Sequence, residues 1–448
     1  MTAPRTCVIG GGMLGMTVAH RLAQAGHRVT VVEAAPGLGG LASAWTLDAP
    51  NGPVVWDRHY HVTLLSDANN RALLRELGLE DDMRWVETRT GYFSNGTLRS
   101  ASNSVEFLRL PGLRLVDKLR IGATIVYASR VRRWEPLSRV DVATWLRRWS
   151  GRRAFERFWE PQLRAKLGDG YEEVAASFIW ATIQRLYAAR RSGLKKEMFG
   201  YVSGGYARVI DAFSATLVSE GVDIRVGCAV DAIERVGEGV EVRMSGGTSE
   251  VFDDVVVTVA APLAAKLCRG LTDDEYARLR AARYAGIVCV SLLSRAPLSG
   301  YYLTYLAEQM PFTGVIEMTA FVDPAQIGGW SLVYLPKYVA PDDPLFEKTD
   351  DEILETFVPA LFRVYPHLTR DDIVSARVSR VRNVFAVPTV GFADRLPPMR
   401  TSQPGVYLVN SANISNGTLN VDETVALGER AARDLLGTAT DAPVAHRA

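Results

Sequence analysis

Two of the chain's six histidines stand almost together, His59 and His61 in the stretch VVWDRHYHVTLL (54–65). Imidazole changes charge closest to neutral pH, so such a pair is a candidate for acid–base chemistry. On a strand, alternate side chains share a face. Asp57, His59, His61 and Thr63 then form one polar row, with Arg58, Tyr60, Val62 and Leu64 on the other side. A polar row on an apolar strand either faces a reacting group or hydrogen-bonds the strand to its neighbour.

A second stretch carries a different chemistry. Thr6–Ile9 reads as a buried strand and runs into Gly10-Gly11-Gly12-Met13-Leu14-Gly15. MTVAHRLAQAG then reads as a helix closed by Gly26, and RVTVVE as a strand ending at Glu33, followed by Ala34. Strand, glycine turn, helix, strand and acid together make a dinucleotide-binding fingerprint. Gly10 permits the tight turn, Gly12 lets backbone approach a pyrophosphate, and Gly15 lets helix and strand pack closely. The helix N-terminus, with Met13 and Leu14 in its first turn, offers free N–H groups to the phosphates. Glu33, 18 residues past Gly15, is placed to accept from a ribose hydroxyl.

Composition bounds the rest. A chain of 448 residues suits two or three domains. With 48% hydrophobic and 23% charged residues and a net charge of +1, it reads as an ordinary globular protein with no global attraction to nucleic acid. Cys7, Cys228, Cys268 and Cys289 have no metal-ligand or disulfide-framework spacing. They read as buried free thiols in a reducing compartment, so no metal and a cytoplasmic location are expected. No signal-peptide pattern and no run of 18 apolar residues is present.

Glu33 followed by Gly39-Gly40-Leu41-Ala42 is similar to the extended motif of FAD-dependent amine oxidases, protoporphyrinogen oxidases and phytoene desaturases. The resemblance implies that the doublet lets the chain pass the FAD diphosphate and ribose. Many members carry Arg after it; here Leu41 stands there. Residues 405–437 (GVYLVNSANISNGTLNVDETVALGERAARDLLG) resemble the C-terminal FAD segment of the same superfamily: strand, loop, then a helix from about Val421. Its N-terminus would point at the flavin, with Asn420 or Thr418 as cap and Asn413 in the loop before it. Asn410-Ser411 replaces the usual Gly-Asp. Val230 matches the valine whose backbone lies over the adenine, or it is plain core. The resemblance covers nearly the whole chain and is most marked toward bacterial protoporphyrinogen-oxidase-like oxidoreductases, with UDP-galactopyranose mutases more distant.

The resemblance implies an α/β fold: a discontinuous Rossmann-type FAD-binding domain (1–85, 200–262 and 388–437) with inserted substrate regions. These are a helical one at 86–199 and a mixed α+β one at 263–387, before a tail at 438–448. The 86–199 region has helix candidates at 116–133, 141–149, 152–166 and 172–191. From Val105 to Lys166 there are 15 Lys+Arg against 6 Asp+Glu, a net of +9. That charge suits an anionic substrate or peripheral docking on anionic lipid, or it is a solvated helical face. In related flavoenzymes the return strand after the doublet runs beside the flavin. That makes His61, then His59, candidate catalytic groups titrating near the ordinary imidazole value; Lys337 is either a further candidate near flavin N5 or, the favoured reading, an exposed loop lysine. No cysteine follows Cys289, so FAD is expected to be non-covalent. The implied function is hydride transfer from an unidentified small organic substrate to flavin N5. The other reading is a non-redox flavin-dependent mutase acting on a nucleotide sugar.

Overall fold

The computed structural model describes residues 3–190, 198–396, 398–414 and 418–437; the tail at 438–448 lies outside them. Three separated segments build one parallel sheet. Its strands, in spatial order, are Asp223–Arg225, Arg28–Val32, Arg5–Ile9, Asp254–Val257 and Val406–Leu408. The strands are apolar on both faces because both faces are covered. Val8, Val29, Val31 and Val256 pack toward the helices Met13–Gln24, Gly205–Ser219 and Val421–Leu435. Cys7, Ile9, Val255 and Val257 pack toward Ile233, Val240 and Val242 of a three-stranded antiparallel sheet. The adjacent glycine-rich turns are tied together: Gly39 N–H donates to the Gly11 carbonyl at 2.8 Å, and Gly12 pairs with Gly39 as an isolated bridge.

Above this layer lies a seven-stranded sheet, ordered Ile373–Ala386, Tyr284–Ser294, Ser331–Val339, Gly314–Glu317, Leu303–Leu306, Thr90–Ser94 and Thr97–Ser100. One face packs on the helix Asp350–Val364 through Ile353, Phe357 and Leu361. The other face sends Ile287, Cys289 and Tyr334 onto Trp56 and Tyr201. The region read as helical from 86 therefore opens with strands. Asn95 (φ 50°) and Gly96 (φ 65°) take the left-handed conformations of a two-residue hairpin turn, so SNGT is the local signal for it. The four helices follow, at Leu115–Arg130, Val142–Ser150, Arg152 to Leu167 with a π turn at Phe155–Trp159, and Ala176–Arg190.

The return strand is shorter than its pattern. It pairs with Ala44–Leu47 over Val54–Asp57 only, and pairing resumes at Thr63–Leu64 against a different partner. Arg58 to Val62 have no ladder, so the polar row is not a strand face.

Candidate active cleft

The irregular stretch 58–62 forms one wall of a cleft of about 430 Å³. Gly12, Met13 and Leu14 at the start of the first helix, with Gly39, Leu41 and Ala42, form its base. Asn420, Val421 and Thr424 of the C-terminal helix close one side, and Tyr60, Tyr302, Tyr338 and Ile287 form the roof. The first helix begins at Gly12 with no side-chain cap, which leaves its first-turn N–H groups free for an anion. A Cβ on Gly12 would meet nothing nearer than the Gly40 Cα at 3.9 Å, so backbone is open to a ligand there. Gly10 (φ 106°) makes the turn, and a Cβ on Gly15 would stand 1.9 Å from the Gly10 carbonyl oxygen. These residues fit a dinucleotide diphosphate.

Glu33 sits beyond the cleft, where its carboxylate accepts from Gly11 N–H at 2.6 Å and Ala35 N–H at 2.8 Å. Two bonds leave lone pairs for a ribose. Ala34 is exposed next to it. The carbonyls of Glu33 and Ala35 accept from Cys228 and Gly227, which brings the start of the Val230–Val236 strand to the same end. Gly40 is exposed beside the base of the cleft at φ 57°. Asn420 caps the C-terminal helix by accepting from Glu423 N–H at 3.0 Å; Thr418 does not take that position. Asn413 is not brought to the cleft. It is buried, and its Oδ1 accepts from Asn410 N–H at 2.9 Å, closing its own loop.

The two histidines separate in role. His59 is buried, with both ring nitrogens occupied: Nδ1 lies 3.3 Å from the Leu41 carbonyl and Nε2 3.0 Å from Ser379 Oγ. A carbonyl only accepts, so Nδ1 carries the proton. His61 lines the cleft with its ring 5.0 Å from that of Tyr206, and its buried Nδ1 has no hydrogen-bond partner. That atom is 3.8 Å from Asp57 Oδ2. Burial pushes both imidazoles below their usual range, His59 to about 3 and His61 to about 4, so neither titrates near its ordinary value. The group lifted toward neutrality is Asp57. Burial raises its carboxyl to about 7, although the Tyr206 N–H donating to Oδ1 at 2.7 Å pulls it down.

Lys337 is not at this cleft. It opens into another one with Glu156, Glu160 and Arg164. Lys166 is the lysine here, its Nζ 3.9 Å from the centre of the Tyr338 ring. Tyr338 and Tyr60 share a hydroxyl hydrogen bond of 2.8 Å. Arg185 also lines the cleft, but Asp67 holds it in a two-bond pair at 3.0 and 2.7 Å. Among the described residues, no cluster of three or more His, Cys, Asp or Glu could hold a metal ion.

A parallel sheet with a bare helix N-terminus and interlocked glycine turns at its strand ends defines the dinucleotide-binding α/β class. Residues 14–436 match the model of the family described as flavin containing amine oxidoreductase, and the chain belongs to that family of flavin-dependent oxidoreductases. A carotenoid phi-ring synthase of Streptomyces griseus is 41% identical over 76 residues, 17% of this chain and 15% of that protein's length. Coproporphyrinogen III oxidase of Mycobacterium tuberculosis is 25% identical over 471 residues, spanning 99% of this chain and all of that one. The crystal structure of reduced UDP-galactopyranose mutase superposes with a TM-score of 0.76 at 17% identity, covering 98% of this chain and 97% of that one; at that identity it shows shared fold.

Proposed function

We propose that the chain binds FAD non-covalently and oxidises a small organic substrate carrying an anionic group. The observation that carries this reading is one cleft joining the glycine base to a neutral imidazole whose buried Nδ1 has no hydrogen-bond partner, under an aromatic roof. Gly10, Gly12–Gly15 and Gly39–Ala42 would hold the diphosphate, Glu33, Ala34 and Val230 the adenosine end, and Asn420 and Val421 the ring end. Bound FAD supplies the hydride acceptor at N5 and passes electrons to dioxygen or another acceptor. The chain does the remaining work. Tyr60, Tyr302 and Tyr338 exclude water and stack on the substrate. Lys166 holds its anionic end. His61, uncharged at neutral pH, takes the proton released with the hydride, and Asp57 beside it stabilises the imidazolium. Among the described residues lining the cleft, Lys166 is the cation without an acidic partner, which suits a single anionic group better than a nucleotide-sugar diphosphate and favours oxidation over the mutase reading. Anaerobic mixing with candidate anionic substrates tests this. Bleaching of the flavin, restored by acceptor with one acceptor consumed per turnover, supports it; turnover only after chemical reduction, with none consumed, overturns it.

Two expectations follow for the cofactor. Acid precipitation should release the yellow colour to the supernatant, because no cysteine lies beyond Cys289 and none lines the cleft; a yellow pellet would show a covalent bond. Glu33→Ala should weaken FAD binding by about 1.5–3 kcal/mol, the range for a lost charge-assisted hydrogen bond. Its reduction potential should hardly move, since Glu33 stands at the far end from the ring. Retention of FAD through dialysis equal to the parent's would place Glu33 outside the site.

A further inference from the structure

The helix Leu115–Arg130 turns an apolar face to the outside. Leu115, Val116, Leu119, Ala123, Val126 and Tyr127 are exposed, and their spacing sets them on one face. Leu115 and Leu119 are 63% and 60% exposed. The buried face carries Asp117, Lys118, Thr124 and Ser129 beside the core residues Ile121 and Ala128. Those groups are satisfied inside. Lys118 Nζ donates to the carbonyls of Leu108 at 2.7 Å and Leu110 at 2.6 Å. Asp117 pairs with Arg153 at 3.3 Å, and Thr124 shares a 2.8 Å hydrogen bond with Ser150. A helix whose outer face meets only water carries polar residues on that face. The apolar face continues onto the next helix, where half-exposed Trp149 stacks on Tyr127 with ring centres 4.0 Å apart. Arg114, Arg120, Arg130 and Arg148 are exposed on the same two helices and at the N-cap, within the stretch of net charge +9.

We propose that this face docks the protein on an anionic lipid bilayer. Leucine and valine enter the acyl boundary, Tyr127 and Trp149 sit at headgroup level, and the arginines lay their stems along apolar surface with guanidinium groups on the lipid phosphates. Charge selects the occupant: an apolar strip set among cations complements a negative membrane surface, and would repel an identical strip on a second copy. Among the described residues no helix is long and apolar enough to cross a membrane, so the attachment lies in the interface plane. Docking also reaches the cleft. Gln184 Nε2 donates to the carbonyls of Ala128 and Val131 at the end of the docking helix, and its neighbour Arg185 lines the cleft. The proposal does not depend on which substrate the cleft takes.

The test is co-sedimentation of the full, flavin-loaded chain with vesicles of phosphatidylglycerol and phosphatidylcholine, and of phosphatidylcholine alone. The parent should pellet with the anionic vesicles and bind neutral ones at least about tenfold more weakly, with raised salt also releasing it. Leu119→Glu with Val126→Glu changes only exposed positions and should lose binding at least about tenfold while keeping its flavin. A parent that stays in the supernatant overturns the proposal without any variant, as does equal binding of both vesicle types. So does a double variant that pellets like the parent. A concentration-dependent dimer in lipid-free buffer, broken by the same substitutions, would assign the face to a second copy instead.

Discussion

His61→Ala will keep its flavin and reduce it with substrate about 100- to 10,000-fold more slowly, the usual loss for an acid–base group. The imidazole lines the cleft, and burial holds it at about 4, so it is an uncharged acceptor at every pH above roughly 5. Its proton uptake creates a cation 3.8 Å from Asp57. Asp57 ionises near 7, so it becomes a counter-ion only as pH rises through neutrality. The parent's rate of flavin reduction should therefore climb between about pH 6 and 8. Asp57→Asn should flatten that limb with FAD still bound, and His61→Ala should lose it along with the rate. His59→Ala should act mainly on stability, because its nitrogens are spent on Leu41 and Ser379. Stopped-flow flavin reduction across pH reads all three. An unchanged rate and profile in His61→Ala would leave the stretch a structural one.

Gly15→Val should yield protein with its FAD affinity cut at least about 100-fold, equivalent to roughly 3 kcal/mol. The first side-chain carbon would stand 1.9 Å from the Gly10 carbonyl oxygen, a distance no contact tolerates. Helix and turn must part, and parting them moves the free N–H groups away from the place where the phosphates sit. Gly37→Ala is the control, since a Cβ there meets nothing within 4 Å and its φ is not positive. Flavin-to-protein ratio after gel filtration, from absorbance, is the readout. A Gly15→Val protein carrying a full flavin complement would mean that the cradle does not hold the cofactor.

What could be read from residues alone was what sterics fix locally. Gly10, Gly15 and Gly39 are legible because no other side chain fits the backbone there, and Gly12 because a diphosphate needs bare backbone beside it. Asn420 is legible as a cap because its side-chain oxygen reaches the amide three residues on, that of Glu423. The parallel sheet announced itself through apolar runs flanked by helical periods. What escaped depended on partners distant in the chain. Reading the histidine stretch as a continuous strand assumed a ladder, yet Leu41 and Ser379 capture His59 and pairing stops at Asp57. The lysines turned on register. Tyr338 stands opposite Ile287 and faces the cleft, whereas Lys337 stands opposite Val288 and faces away. Side chains alternate at every residue, so YLPKY alone does not say which of Lys337 and Tyr338 points inward. The hairpin at Asn95-Gly96 was legible, a local signal that the helical reading of 86–199 passed over.

The parallel sheet is assembled from strands that lie far apart along the chain: Thr6 pairs with Asp254, and Val255 with Val406. During synthesis, the first strand and its glycine turn leave the ribosome long before their second neighbour, Asp254–Val257, exists, and the outermost strand comes only after some 400 residues. Until then the Asp254–Val257 strand has one bare edge, and the side of the cleft formed by Asn420 and Val421 is missing. Loop closure over such separations makes the final docking slow and leaves unpaired edges waiting. A nascent chain stalled before Val406 therefore holds a half-built nucleotide cradle with an open β edge. Chaperone demand and loss to proteolysis will concentrate in that interval, and flavin capture marks the end of synthesis rather than its middle.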